Sequence, residues 1–186
     1  MKTHLSLLCL AAALLAAACK KDDPDNGLPP ATQEGKNTAG CFVNGEPFVA
    51  AGWGGSLLTN PVAPLGGGFF YDSLYYLRIH GLYKGSNSTM TLFFRSQISG
   101  VYRFNQDTPS LSQGGMGTTT FNHATFSTAN GTDTYITNKQ NTGQVALTSA
   151  DRSSGISAGT FEFTAASTTD PSKTVTVTSG RFDRKQ

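Results

Sequence analysis

This 186-residue chain predicts an all-β fold, an antiparallel β-sandwich of about eight to ten strands or, alternatively, a β-barrel. Three observations carry that expectation. Beyond Asn37 apolar residues alternate with polar ones at period two, which puts one face of each strand in a core and the other in water. Turn-forming Gly, Asn and Asp interrupt these runs every ~8–12 residues. Charged residues make up only 14% of the chain, against roughly 25% in ordinary soluble domains. Thr, Ser and Gly therefore supply most of the polarity, a composition suited to pleated strands and tight turns.

The strands follow in order along residues 38–186, a length that suits one domain with one core. "CFVNGEPFV" places Asn44-Gly45 between Phe42-Val43 and Phe48-Val49, a strong hairpin signal. "SLYYLRIHGLY" and "STMTLFFRS" form the next antiparallel pair, joined at Gly85-Ser86-Asn87, with Met90, Leu92 and Phe94 on one side of the second strand. "GVYRF", "TFNHATFST", "DTYITN" and "GQVALTS" supply further strands. In "GTFEFTA" Phe161, Phe163 and Ala165 face one way and Thr160, Glu162 and Thr164 the other; "KTVTVTSGRF" repeats the alternation through Val175 and Val177. Helical periodicity and internal repeats are both missing from this part of the sequence.

Ahead of the domain, Lys2 and His4 precede an apolar run from Leu5 to Ala18, which contains Cys9 and ends in small residues. Residues 1–18 have the pattern of a secretory signal peptide, too short for a comfortable transmembrane helix. "LAAAC", ending at Cys19, resembles a bacterial lipobox, with Ala16 where leucine is commoner. The resemblance implies a diacylglyceryl group on the Cys19 thiol; ordinary cleavage after Ala16-Ala17-Ala18 is the competing reading. Lipidation also consumes a thiol that would otherwise stand reactive at the mature N-terminus. Several acyl chains at ~0.8 kcal/mol per CH₂ give a permanent anchor that does not span the membrane.

Lys21, Asp22 and Asp23 resemble the lipoprotein export signal of Bacteroidota, which implies delivery to the outer leaflet of the outer membrane and surface exposure. A solvated charge cluster is the plain alternative. Residues 19–37, with three prolines and two glycines, have the composition of a disordered tether. Its root-mean-square span would be about 25 Å. "DDPDNG" within it imitates a calcium loop, but Pro24 falls on a ligand position and no helix follows.

Chemistry-bearing patterns in the domain fail their contexts. Gly155-Ile156-Ser157-Ala158-Gly159 satisfies G-x-S-x-G, yet a strand follows the serine where a nucleophile elbow needs a helix, and no histidine occurs after His123. His80 and His123 lie far apart on different strands, so no metal and no cofactor is expected, and each should be a sheet residue with a hydrogen-bonded ring. Asp107, Asp133, Asp151 and Asp170 sit at turns; Glu46, Asp72 and Glu162 are the carboxylates near strands, with no spacing that pairs them. Cys41 fits a small buried apolar residue at the start of the first strand. The net charge of +2 without a basic block argues against nucleic acid as a partner.

Aromatic residues are the more suggestive feature. Trp53 in "AGWGGS" is the candidate ligand contact, an indole among glycines that could stack on a sugar ring or a partner surface. "GGGFFYDSLYY" packs Phe69, Phe70, Tyr71, Tyr75 and Tyr76 beside a glycine run, and core filling is the competing role for all these rings. Asp72-Ser73-Leu74 resembles a short O-glycosylation motif of Bacteroidota that would modify Ser73.

"LPPATQEGKNTAGCFVNGEPFV", "NTGQVALT", "SAGTFEFTA" and "TVTVTSGRFDRK" together resemble an uncharacterised lipoprotein family of Bacteroidota, a domain of unknown function, over Leu28 to Lys185. The Gly-Lys-Asn-Thr stretch and Gly180-Arg181-Phe182-Asp183 are its most specific parts. The resemblance implies lipidation at Cys19 and carries no catalytic residue. The sequence thus leads to a non-enzymatic outer-membrane surface lipoprotein whose loops bind a glycan or another envelope protein. A structural envelope component and a hydrolase with an unrecognised site are the alternatives.

Overall fold

A computed structural model describes residues 26–55, 60–71, 73–109, 120–128 and 133–186. Cys9, Cys19, Lys21, Asp22, Asp23 and Asp72 lie outside the described residues. Among the described residues eleven strands make one antiparallel sheet: β1 (Thr38–Val43), β2 (Glu46–Val49), β3 (Leu65–Phe70), β4 (Leu74–Tyr83), β5 (Ser86–Phe94), β6 (Gly100–Phe104), β7 (His123–Ser127), β8 (Thr134–Ile136), β9 (Gly143–Asp151), β10 (Ile156–Ser167) and β11 (Thr174–Lys185). The all-β expectation holds, with β3 as the added strand.

The sheet runs β2-β1-β11-β10-β8-β7-β5-β4-β3 and forks at β10. Residues Ile156 to Phe163 of β10 pair with β9, which carries β6, while Ala166 and Ser167 pair with β8. The sheet curls into a half-barrel around one core. Ala50, just past β2, bridges to Gly81 of β4, and the Ala51 N–H donates to the His80 carbonyl at 2.8 Å. At the other end the Gln186 side-chain amide bonds both backbone groups of Phe69, at 2.9 and 3.1 Å.

Curling is driven from inside. Phe48 meets Phe126 edge-on at 5.7 Å, and Tyr75 stacks on Phe94, which stacks in turn on Tyr102 of β6. The inward residues read from the alternation are there: Met90, Leu92, Phe94, Phe161, Phe163, Ala165, Val175 and Val177 all belong to the buried cluster. Each large apolar side chain so buried contributes roughly 1.5–3 kcal/mol. A bulge in β11 at Ser179 (φ 54°), where the register with both β1 and β10 shifts, adds local twist.

Two turns illustrate how local chemistry sets register. Asn44 (φ 50°) and Gly45 (φ 82°) make the two-residue hairpin turn expected between β1 and β2. The β4–β5 turn is Lys84-Gly85, with Tyr83 paired to Ser86, so Ser86 and Asn87 are already strand residues and not joint residues as the sequence suggested.

The segment before β1 differs from a free tether. Leu28 is buried, and Leu28 and Pro29 sit against Gly40 closely enough that a Cβ there would stand 2.7 Å from the Pro29 Cδ. Thr32 to Lys36 then wrap Asp183. Its carboxylate accepts hydrogen bonds from the Thr32 hydroxyl (2.6 Å) and from the N–H groups of Glu34 (3.0 Å), Gly35 (2.7 Å) and Lys36 (3.2 Å). Asn37 continues the contact, its side-chain oxygen accepting from Arg184 Nη1 and from the Lys185 N–H. The docking is invisible in composition because its acceptor lies at the far end of the chain.

Candidate functional site

A concave surface lies on the wet outer face of β6, β9, β10 and β11. Strand register lines up Arg103, Gln144 and Glu162 side by side, one from each of three neighbouring strands. Gln144 Nε2 donates to Glu162 Oε1 at 3.0 Å. On the β11 side Glu162 faces the Ser179 bulge and has no cross-strand partner, which leaves the surface open there. Thr164 beside Thr176 and Thr160 beside Arg181 form the flanking rows.

These rows enclose two adjoining depressions of about 410 and 470 Å³ that share Gln144 and Glu162. A third, of about 310 Å³, meets the first at Arg103 and is lined by Asn105, Gln106, Phe121 and Asn122. Together they make a trough. Arg103 is exposed, and among the described residues its guanidinium makes no hydrogen bond or ion pair. Arg181, half-buried, donates from Nε to the Ser179 carbonyl at 3.4 Å. Phe121 is 42% exposed, with its N–H donating to Thr108 Oγ1 at 2.9 Å and its carbonyl accepting from His123 Nδ1 at 2.8 Å.

Most residues singled out from sequence lie elsewhere. Trp53 is half-buried, edge-on to His80 at 5.0 Å and bridged to Val62, so it covers the outside of β4. Strands β8, β7 and β5 separate it from the trough. Tyr75 is core, while Tyr71 is 71% exposed. Ser73 is exposed in the turn before β4.

Ser157 of the G-x-S-x-G run is buried in β10, its Oγ 2.7 Å from the Tyr75 hydroxyl. His80 Nδ1 lies 3.1 Å from Thr89 Oγ1; burial, then the Arg78 charge, lowers its pKa. Burial lowers the pKa of His123 as well, partly offset by the Phe121 carbonyl. Both rings are hydrogen-bonded sheet residues as expected. Cys41 is fully buried, and burial pushes its thiol pKa up. Among the described residues no three His, Cys, Asp or Glu side chains group as metal ligands.

The turn aspartates organise their own loops. Asp151 accepts from the hydroxyls of Ser153 and Ser154 and from both their N–H groups, which lowers its pKa to about 2. Asp107 pairs with Lys139 and Asp170 with Lys173. In Gly180-Arg181-Phe182-Asp183, Gly180 receives the Phe161 ring, Phe182 fills the core and Asp183 holds the N-terminal segment. The stretch is a structural clasp whose Gly180 and Arg181 also line the trough. Asp183 is 1% exposed; burial raises its pKa, but the bonds from Thr32, Glu34, Lys36 and Gly35 outweigh that and leave it lowered.

Sequence reasoning missed Arg103 and Phe121. Alternation held no signal for Phe121, because it lies before β7 and His123 and Thr125, which share its parity, are both buried. No curated protein and no solved structure matches the chain. A family model described as a domain of unknown function (DUF6252) matches residues 72–184, more than half of the chain. That stretch takes in nearly all of β4 to β11 and every trough residue named above, and the chain belongs to this family of unknown function.

Proposed function

We propose that the protein is a lipid-anchored outer-membrane surface lipoprotein whose β-domain is a non-enzymatic glycan-binding module, with the trough as its recognition surface. Lipid on Cys19 provides the anchor, and Lys21, Asp22 and Asp23 direct it outward. The single observation that supports a binding role is the trough itself, where Arg103, Gln144 and Glu162 converge in an open, hydroxyl-rich groove. Ser157, by contrast, spends its hydroxyl on Tyr75 inside the core.

The test uses the full chain purified in detergent on a glycan array. Binding should be lost in the Arg103→Ala, Glu162→Ala double variant and kept in Trp53→Ala. Loss in Trp53→Ala alone would move the site to the outside of β4, and silence on the array would favour a structural envelope component. For the address, Cys19→Ala should release the protein from membranes. Changing Lys21, Asp22 and Asp23 to alanine should keep it lipidated but hide it from external protease; undiminished exposure would sink the export reading.

A further inference from the structure

We infer that the ligand of the trough is an acidic oligosaccharide, a short run of sugars carrying uronate carboxylates, with Arg103 as the carboxylate anchor and Phe121 as the stacking platform. The inference rests on the trough being the recognition surface and goes beyond that by naming the ligand's charge and the residues that read it.

Charge complementarity is the first argument. Arg103 stands where two depressions meet, exposed and without an internal partner among the described residues. An open guanidinium fork matches a planar carboxylate with two parallel hydrogen bonds. Glu162, the one acid among the described residues lining the depressions, already accepts from Gln144, and Asp107 beyond Gln106 is paired with Lys139 at 3.1 Å. The positive charge offered to a ligand is therefore that of Arg103, at the junction of the first and third depressions.

The second argument is shape. A pyranose offers an apolar C–H face and a rim of hydroxyls. Phe121 supplies a ring whose base is pinned by Thr108 and His123, and the amides of Asn105, Gln106 and Asn122 surround it with planar donors and acceptors. From β6 to β11 the trough crosses three strand intervals, about 14 Å at the usual spacing, before the Phe121 end is added. A peptide would want an apolar anchor pocket, whereas the exposed rows here are Thr, Gln, Arg and Glu.

Isothermal titration of the full chain in detergent tests this with tetrasaccharides of galacturonate, glucuronate and mannuronate, their methyl-esterified forms, and a tetraglutamate peptide. At least one uronate should bind, its ester should bind about ten- to a hundredfold more weakly, and Arg103→Gln should cost the acid a similar factor while leaving the ester unchanged. Phe121→Ala should weaken acid and ester alike. Both variants alter exposed side chains, so melting temperatures near that of the parent certify folding. Equal binding of acid and ester, with Arg103→Gln silent, would overturn the acidic assignment while leaving a neutral-glycan trough intact. Tetraglutamate binding in place of sugar would overturn the sugar class, and failure of every uronate would overturn the inference whatever the array reports.

Discussion

Replacing Asp183 with asparagine should release the N-terminal segment and destabilise the domain. In the best orientation the asparagine oxygen takes the place of Oδ2 and keeps Thr32, Glu34 and Lys36, while its NH₂ points at the Gly35 N–H and forfeits that 2.7 Å bond. The surviving bonds lose their charge assistance, which roughly halves their strength. Leaving one buried donor unmet and weakening three bonds to a neutral acceptor comes to about 3 kcal/mol, since bonds to a charged group are each worth about 1.5–3 and do not simply add. For a domain of this size that is a fall of roughly 6–12 °C in melting temperature. Urea unfolding followed by Trp53 fluorescence measures it at neutral pH, and trypsin should cut faster after Lys36, whose N–H the carboxylate holds at 3.2 Å. The native pKa of Asp183 lies below its unfolded value of about 3.9, so its contribution is complete above that pH and drains away as pH falls through the native value. Wild type and variant should therefore converge in acid. A midpoint within two degrees of wild type at pH 7, or a difference that widens in acid, would refute the clasp.

Gly180→Ala puts a Cβ 2.4 Å from the Phe161 ring and 2.5 Å from its carbonyl oxygen, so a loss of about 1–3 kcal/mol is expected in the same unfolding assay. Ser157→Ala leaves the buried Tyr75 hydroxyl without its partner and should cost about 1–3 kcal/mol; a serine-directed phosphonate should fail to label wild-type Ser157, and labelling would reopen the hydrolase reading. His123 has a lowered native pKa, so its contribution is full above the unfolded value of about 6.5 and is lost as pH falls below it. His123→Gln should flatten the decline in stability between pH 7 and pH 5, leaving the part due to His80, and an unchanged slope would show that His123 is not its source.

Legibility followed the range of the interaction. The hairpin at Asn44-Gly45 and the alternation through Phe161 to Ala165 are local and could be read directly. Strand β3 was not, because its three glycines have poor strand propensity; it exists because it pairs with β4 from Leu65↔Ile79 to Phe70↔Leu74. At Gly67 (φ 83°) a Cβ would stand 2.3 Å from the Tyr76 carbonyl oxygen, so glycine permits the approach that the pairing needs. The trough depends on register across four strands and on one bulge, neither of which leaves a signature at Arg103, Gln144 or Glu162 individually.

By itself the sequence determined the fold class and the inward set of residues, because period-two alternation and turn chemistry are properties of neighbours in the chain. It also placed Ser157 ahead of a strand where a nucleophile elbow needs a helix, and β10 runs through it. Tertiary structure alone decided that Thr32 to Lys36 dock on Asp183, that Trp53 packs on His80, and that Arg103, Glu162 and Arg181 share one groove. Those contacts join residues from distant strands, and the energy that selects them comes from burial and from cross-strand register, which exist only once the sheet has curled.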